Sequence, residues 1–336
     1  MRIVILGAGS IGCYVGGRLA AAGATVSFIG RPRMQALLND KGLHLTHFNQ
    51  SQIRLPSSQF DFHTDTDVLT EADVVILTVK SQDTAVALKQ LKNKLKARAT
   101  LISLQNGVGN LGRLKAGLSN VNIVGGMVPF NVVNRGLGRF HCGTEGELCI
   151  QPLPSKLLEY FNKAGLPVKQ VKDIEAVQWG KLLMNLNNAL NMLSGKPLQQ
   201  QLADRHYRRA LALSIAEALK CMDKAKIKPV RVGKVMPRLL PFVLRLPNQV
   251  FQLLAKGMLK MDPEARSSMW EDLQAKRQPE IDYLNGAIVA LGKQVGIATP
   301  VNLKVVQQVK KAFDAGDSPA LDGERLLSII ADADRL

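Results

Sequence analysis

Cysteine is scarce: among 336 residues only Cys13, Cys142, Cys149 and Cys221 carry thiols, and no two form a Cys-x-x-Cys pair. Neither a disulfide framework nor a zinc ribbon fits that spacing, so buried free thiols are the expectation. Histidine is nearly as sparse, with five residues, and no His, Cys, Asp or Glu set has ligand spacing, so no metal is expected. His44 and His47, three apart, read as surface residues. No uninterrupted apolar run approaches the ~18 residues of a spanning helix, which argues against membrane insertion. Heptad arrays, internal repeats and low-complexity tracts are missing too. The chain opens Met1-Arg2-Ile3-Val4-Ile5-Leu6 and runs straight into glycines, leaving no room for a signal peptide, so a cytoplasmic location is expected.

Hydrophobic residues at 46% and charged ones at 21% are the composition of a folded globular chain. A length of 336 residues exceeds one hydrophobic core, so two domains are expected. Charge is unbalanced, with 44 basic against 27 acidic residues and a net +17, which raises nucleic-acid or membrane-surface binding. Nine of the basic residues (Lys224, Lys226, Lys228, Arg231, Lys234, Arg238, Arg245, Lys256, Lys260) fall between Lys224 and Met261 with no acidic residue among them. Pro237, Pro241 and Pro247, set among leucines and Phe242, make this segment read as broken amphipathic helices. It lacks the aromatic spacing that stacks bases, so no specific nucleic-acid partner is expected.

The first half alternates short apolar runs with amphipathic stretches, as a parallel sheet covered by helices requires. Strands are expected at Arg2–Leu6, Thr25–Ile29, Val74–Val79, Thr100–Leu104 and Asn122–Gly126, with helices at Gly12–Ala22 and Asp83–Leu95 making βαβ units. Gly138–Gln151, with repeated glycines and alternating Phe140, Cys142, Leu148 and Ile150, reads as a hairpin adding edge strands. From about Asp173 the pattern changes to long helical periods at Ala176–Leu193, Arg208–Lys226, Ser267–Gln294 and Leu303–Ala315. The fold class is therefore α/β: an N-terminal Rossmann-like dinucleotide-binding domain over 1–172, followed by an all-helical domain over 173–336.

Gly7-Ala8-Gly9-Ser10-Ile11-Gly12 follows the first strand and opens the first helix. That context makes it a dinucleotide fingerprint: Gly7 for a tight turn, Gly9 for backbone approach to a pyrophosphate, Gly12 for close helix–strand packing. An NAD site normally ends its second strand with Asp or Glu, whereas this one ends Ile29-Gly30-Arg31-Pro32-Arg33. A guanidinium there suits a 2′-phosphate and favours NADPH over NADH, unless Arg31 and Arg33 are merely solvated charges. Lys80 and Gln105-Asn106-Gly107 follow the third and fourth expected strands, at the carboxyl ends where open sheets place their ligand crevice. Asn106 can bridge cofactor ribose and substrate, or simply form an Asn-Gly turn.

In the helical half, Lys181, Asn185 and Asn188 stand at i, i+4 and i+7 in an otherwise apolar helix. Such a polar stripe is either a site or an exposed face. Further on come Ser267-Ser268-Met269 and Glu280-Ile281-Asp282-Tyr283-Leu284-Asn285-Gly286. Together with the glycine start, Val79-Lys80, Gln105-Asn106-Gly107 and Lys181-Leu-Leu-Met-Asn185, these blocks occur in the order and spacing of the ketopantoate reductase family. The resemblance covers nearly the whole chain.

The resemblance implies reduction of 2-dehydropantoate to pantoate by NADPH, on the route to pantothenate and coenzyme A. By motif, Lys181 would be the general acid and Glu280 its carboxylate partner; Asn106 and Asn185 would position the substrate, Ser268 would bind its carboxylate, and Arg31 and Lys80 would contact the cofactor. The family commonly has an asparagine eight residues after the lysine, then proline, where this chain has Ala189 and Leu190. Asn188, one residue early, is the substitute on the Lys181 face. The chemistry agrees: hydride transfer to a ketone builds an alkoxide that needs a proton, and a carboxylate beside an amine keeps it charged while desolvation eases proton release. The basic segment is then expected to border the substrate entrance, a solvated or oligomer-facing surface being the alternative, and the sequence leaves room for a homodimer. Competing readings are a related NADP-dependent reductase of another 2-oxo or 3-hydroxy acid, and a non-catalytic NADP- or nucleic-acid-binding protein.

Overall fold

A computed structural model describes residues 1–231, 235–255 and 263–334 of the chain. Lys234, Lys256, Lys260 and Met261 of the basic segment lie outside the described residues. The chain divides into two compact units, the first being Met1–Glu175 and the second beginning at Ala176.

The first unit holds twelve strands: β1 (Arg2–Leu6), β2 (Thr25–Ile29), β3 (Leu43–His47), β4 (Gln52–Leu55), β5 (Asp61–His63), β6 (Val74–Leu77), β7 (Thr100–Ser103), β8 (Asn122–Met127), β9 (Val132–Asn134), β10 (Arg139–Cys142), β11 (Leu148–Ile150) and β12 (Val168–Gln170). Its helices are α1 (Ser10–Ala21), α2 (Pro32–Lys41), α3 (Thr84–Leu91), α4 (Asn110–Gly117) and α5 (Ser155–Lys163). The main sheet runs β12-β11-β8-β7-β6-β1-β2-β5. Six of these strands, β5-β2-β1-β6-β7-β8, are parallel, in the doubly wound order of dinucleotide-binding folds. The order reverses between β1 and β6, which opens a crevice at their carboxyl ends. Successive strand residues serve opposite faces: Ile3 and Ile5 join one core, Val4 and Leu6 the other, and all four are buried, which is why the run is continuously apolar.

Val74–Val79 reads as one strand, yet β6 stops at Leu77, because Thr78 turns its hydroxyl to the Gly7 carbonyl (2.7 Å). The hairpin expected at Gly138–Gln151 does not form. β10 joins a second sheet, β4-β3-β10-β9, and β11 pairs with β8 and β12 in the main one. The segment between them crosses from sheet to sheet through Gly146 (φ +156), where a Cβ would lie 2.5 Å from Pro129 Cγ. Cys13, Cys142 and Cys221 are buried free thiols, while Cys149 is partly exposed; His44 and His47 are half-buried in β3, not fully on the surface.

The second unit is helical among the described residues: α6 (Ile174–Asn185, which begins just before the boundary), α7 (Asn187–Ser194), α8 (Leu198–Ala203), α9 (Arg205–Lys224), α10 (Leu240–Arg245), α11 (Asn248–Ala255), α12 (Ser268–Gln274), α13 (Asn285–Val295), α14 (Pro300–Ala315) and α15 (Gly323–Asp334). The long α9 is the hub, with α7, α8, α10, α13, α14 and α15 packed on it. One expected helix, Ser267–Gln294, is instead α12, a loop and α13. Lys276 takes a left-handed conformation (φ 51) and Pro279 follows without an N–H to donate, so the helix cannot continue. No helix of the described residues is long and apolar enough to cross a membrane.

Candidate active site

The glycine loop sits at the switch point of the main sheet. Gly7 (φ +115) has no room for a side chain, since a Cβ would lie 2.7 Å from Val79 N. A Cβ on Gly12 would overlap the Gly7 carbonyl and lie 2.6 Å from Thr78 Oγ1. Gly9 differs: a Cβ there would meet no protein atom within 4 Å, so its face is open. Gly9 is also the N-cap of α1, with no side-chain cap and no acidic residue in the first turn. Bare N–H groups and a positive dipole end are thus left beside an open glycine, a cradle that fits a pyrophosphate. Ala8 is buried against Gly30, and Ser10 and Ile11 begin α1.

Arg31 stands at the end of β2 as the N-cap of α2, exposed, with no acidic partner among the described residues. Lys80 precedes a short turn, Ser81–Asp83, and is half-buried. Asn106, half-buried after β7, gives its carbonyl oxygen to two donors, the Ser81 hydroxyl (2.8 Å) and the Asn110 amide (2.9 Å). Beneath it a buried polar cluster ties the β6 and β7 loops together. Gln105 donates to Thr84 Oγ1 (2.8 Å) and to the Val79 carbonyl (3.2 Å), and Asn110 donates to Ser81 Oγ (2.9 Å). Each polar group so enclosed needs a partner, and the cluster supplies them while fixing the two loops that carry Lys80 and Asn106. Gln105 was read from sequence only as part of the Gln105-Asn106-Gly107 strand end, and Thr78, Ser81, Thr84 and Asn110 were not singled out; their signal was polar residues shortly after two fully buried strands.

In the second unit Lys181 and Asn185 lie on α6, both half-buried. Leu186 interrupts the helix assignment but keeps right-handed angles (φ −57, ψ −26) and donates to Leu182 O (3.0 Å), so the chain winds on into α7 and Asn188. Burial pushes the Lys181 ammonium down to about 8, and the charge of Glu280 acts against that shift by favouring the protonated amine. Glu280 is half-buried in the loop before α13. That loop is anchored by Asn285, fully buried, whose amide donates to Asn302 Oδ1 (3.0 Å); Asn302 in turn donates to the buried Glu217 carboxylate (2.6 Å).

Asn188 reaches Ser268 Oγ through its side-chain amide (3.5 Å), and its carbonyl accepts from Ser267 Oγ (3.0 Å). Ser267, also missed as a positioning residue, caps α12 by accepting from Trp270 N (3.3 Å). Its own N–H donates to Asn191 Oδ1 (2.8 Å), and Asn191, Asn187 and Gln201 form a buried amide cluster around Gln201 Oε1 and Nε2. The cluster fixes the start of α12, and with it Ser268, against α7. Ala189 and Leu190, at the positions where the family commonly has asparagine and proline, are fully buried core residues.

The order of strands, the open glycine cradle and the lysine helix with its carboxylate define a Rossmann-type dinucleotide-binding oxidoreductase with a helical second unit. The family model Ketopantoate reductase PanE/ApbA matches residues 3–155, and Ketopantoate reductase PanE/ApbA C terminal matches residues 173–312. The chain belongs to the ketopantoate reductase family, whose members are oxidoreductases dependent on a nicotinamide dinucleotide. The 2-dehydropantoate 2-reductase of Pyrococcus horikoshii is 28% identical over 331 residues, covering 94% of this chain and 99% of the relative. That of Pyrobaculum aerophilum is 30% identical over 240 residues, or 70% and 75% of the two chains. Among solved structures, the PanE/ApbA family ketopantoate reductase from Ralstonia eutropha JMP134 superposes with TM-score 0.79 at 29% identity, over 94% of this chain and 99% of that one. A D-mandelate dehydrogenase solved with NADH and anilino(oxo)acetate shares the fold, with TM-score 0.78 at 22% identity over 94% and 99% of the two chains.

Proposed function

We propose that the chain reduces 2-dehydropantoate to pantoate with NADPH, residues 1–172 holding the cofactor and 173–336 supplying the acid and the substrate contacts. The observation that carries the reading is Lys181, an amine with a lowered pKa of about 8 that feels the Glu280 carboxylate and shares the helical unit with the Asn188–Ser268 pair. When bound, the nicotinamide supplies the hydride. The residues of the chain do the rest: Gly7, Ala8, Gly9, Ser10, Ile11 and Gly12 cradle the pyrophosphate, and Lys80 and Arg31 meet cofactor charge. Asn106 and Asn185 hold the substrate, Ser268 with Asn188 binds its carboxylate, and Lys181 delivers a proton to the developing alkoxide. The basic segment starts close to the lysine helix, where Val230 N donates to Ala176 O (2.9 Å), and its charge would draw anionic substrates toward that helix.

Titration of Lys181 gives the first test. As the acid it must be protonated, so kcat/KM for reduction should be flat below pH 8 and fall about tenfold per unit above it. Oxidation of the alcohol needs the neutral amine and should rise through the same range. Glu280→Gln removes the charge that favours the ammonium, so the basic limb should move to lower pH. A limb that stays in place in that variant would dissociate Glu280 from Lys181.

Arg31 gives the second. If its guanidinium reads the 2′-phosphate, losing one charge-assisted contact costs about 1.5–3 kcal/mol. Arg31→Ala should then weaken NADPH roughly ten- to hundredfold with NADH little changed. Equal losses in fluorescence titrations with the two cofactors would remove Arg31 from the cofactor site.

A further inference from the structure

Eleven large apolar side chains are exposed among the described residues, and six of them fall between Met236 and Leu254: Met236 and Leu239 at the ends of a short turn before α10, Phe242 on α10, and Val250, Leu253 and Leu254 on α11. Leu240 and Leu244 of α10 are buried, and α10 packs on α9, while Met236, Leu239 and Phe242, three apart in succession, remain outside; Phe242 is 67% exposed. On α11, Phe251 is buried and Val250, Leu253 and Leu254, at i, i+3 and i+4, are outside, Leu253 at 76%. The corner between the helices is pinned from beneath. Arg205 Nε donates to Arg245 O (2.9 Å), and the fully buried Arg208 donates to Leu246 O (3.0 Å) and Asn248 Oδ1 (2.7 Å) with its guanidinium carbon 4.1 Å from the Phe251 ring centre. The turn before α10, Phe242 of α10 and one face of α11 are therefore held with apolar side chains turned outward.

We propose that this outward face of α10 and α11 is a docking surface for anionic lipid bilayers, on which the two helices lie in the plane of the interface. Charge selects the occupant. The stretch from Lys224 to Met261 carries nine basic and no acidic residues, so a second copy of the chain would set like charge against like, whereas an anionic bilayer neutralises it. Apolar Phe and Leu side chains flanked by Lys and Arg are the composition of interfacial helices, whose long basic side chains reach up to headgroups while the apolar ones enter the acyl boundary. A protein partner would also require paired hydrogen-bonding groups. Between Lys224 and Ala255 the uncharged hydrogen-bonding side chains are Asn248, Gln249 and Gln252, and Asn248 is engaged by Arg208. A fluid lipid surface needs none.

Flotation of the full chain with phosphatidylcholine vesicles, alone or with about 30% phosphatidylglycerol, tests the assignment. The protein should float with the anionic vesicles and not with the neutral ones, and less as salt rises. Phe242→Ser, Leu253→Ser and Leu254→Ser together, at exposed positions, should weaken that binding by about tenfold or more at fixed salt, with melting temperature and circular dichroism unchanged. The proposal is overturned if the wild-type protein stays behind with both vesicle types, as an acidic protein partner would require. It is equally overturned if the triple variant floats as well as wild type, which would leave charge alone at work. A concentration-dependent dimer that the triple variant abolishes, with no flotation, would assign the face to a second copy.

Discussion

Lys181→Ala should lower kcat by about 10²–10⁴-fold, the usual worth of a positioned acid, while NADPH affinity stays nearly constant. Burial lowers the pKa of the Lys181 amine to about 8, so it is mostly protonated below that point and yet gives up its proton readily. With Lys181 as the proposed acid the proton moves only as the alkoxide forms, so the loss should fall on kcat rather than on ground-state binding. Lys181→Arg keeps charge but cannot donate near neutral pH, so it should be nearly as inactive. A Lys181→Ala enzyme with most of its turnover intact would remove the general acid from the account.

The second large effect separates two glycines of one loop. Gly12→Ala forces a Cβ onto the Gly7 carbonyl and Thr78 Oγ1, both held by the β1 and β6 ends, so the loop itself must shift. Overpacking of this kind costs about 1–3 kcal/mol, and the melting temperature should fall along with cofactor affinity. Gly9→Ala places its methyl in open space, so the free protein should melt as wild type does. NADPH binding should nonetheless drop by at least about tenfold if that space is where the pyrophosphate approaches the backbone, as proposed. If Gly9→Ala bound NADPH normally, the open face would not be the cofactor's.

These glycines belong to the part of the fold that was legible in the sequence. The fingerprint spacing and the apolar runs at Arg2–Leu6 and Thr100–Leu104 announced a doubly wound sheet, because strands buried on both faces leave a continuous apolar signal. Short strands such as β9 and β12, three residues each with exposed positions, left no such signal. The Gly138–Gln151 stretch alternated like a hairpin, but alternation is local and cannot tell which sheet a strand will join. Lys181, Asn188, Ser268 and Glu280 stood out as polar groups in apolar or motif-bearing surroundings. Residues that hold them, such as Asn191, Gln201 and Asn302, did not, because a side-chain amide takes its meaning only from the partner it meets across 10, 76 or 85 positions of chain.

The substrate is the centre of the account, and the buried Ala189 and Leu190 at two family positions make it the point most worth measuring. The decisive measurement is NADPH consumption by the purified protein against 2-dehydropantoate, 2-oxoisovalerate, pyruvate and an aryl 2-oxo acid. The highest kcat/KM is expected on 2-dehydropantoate. A higher value on any other member of the panel, or no consumption with 2-dehydropantoate, would contradict it.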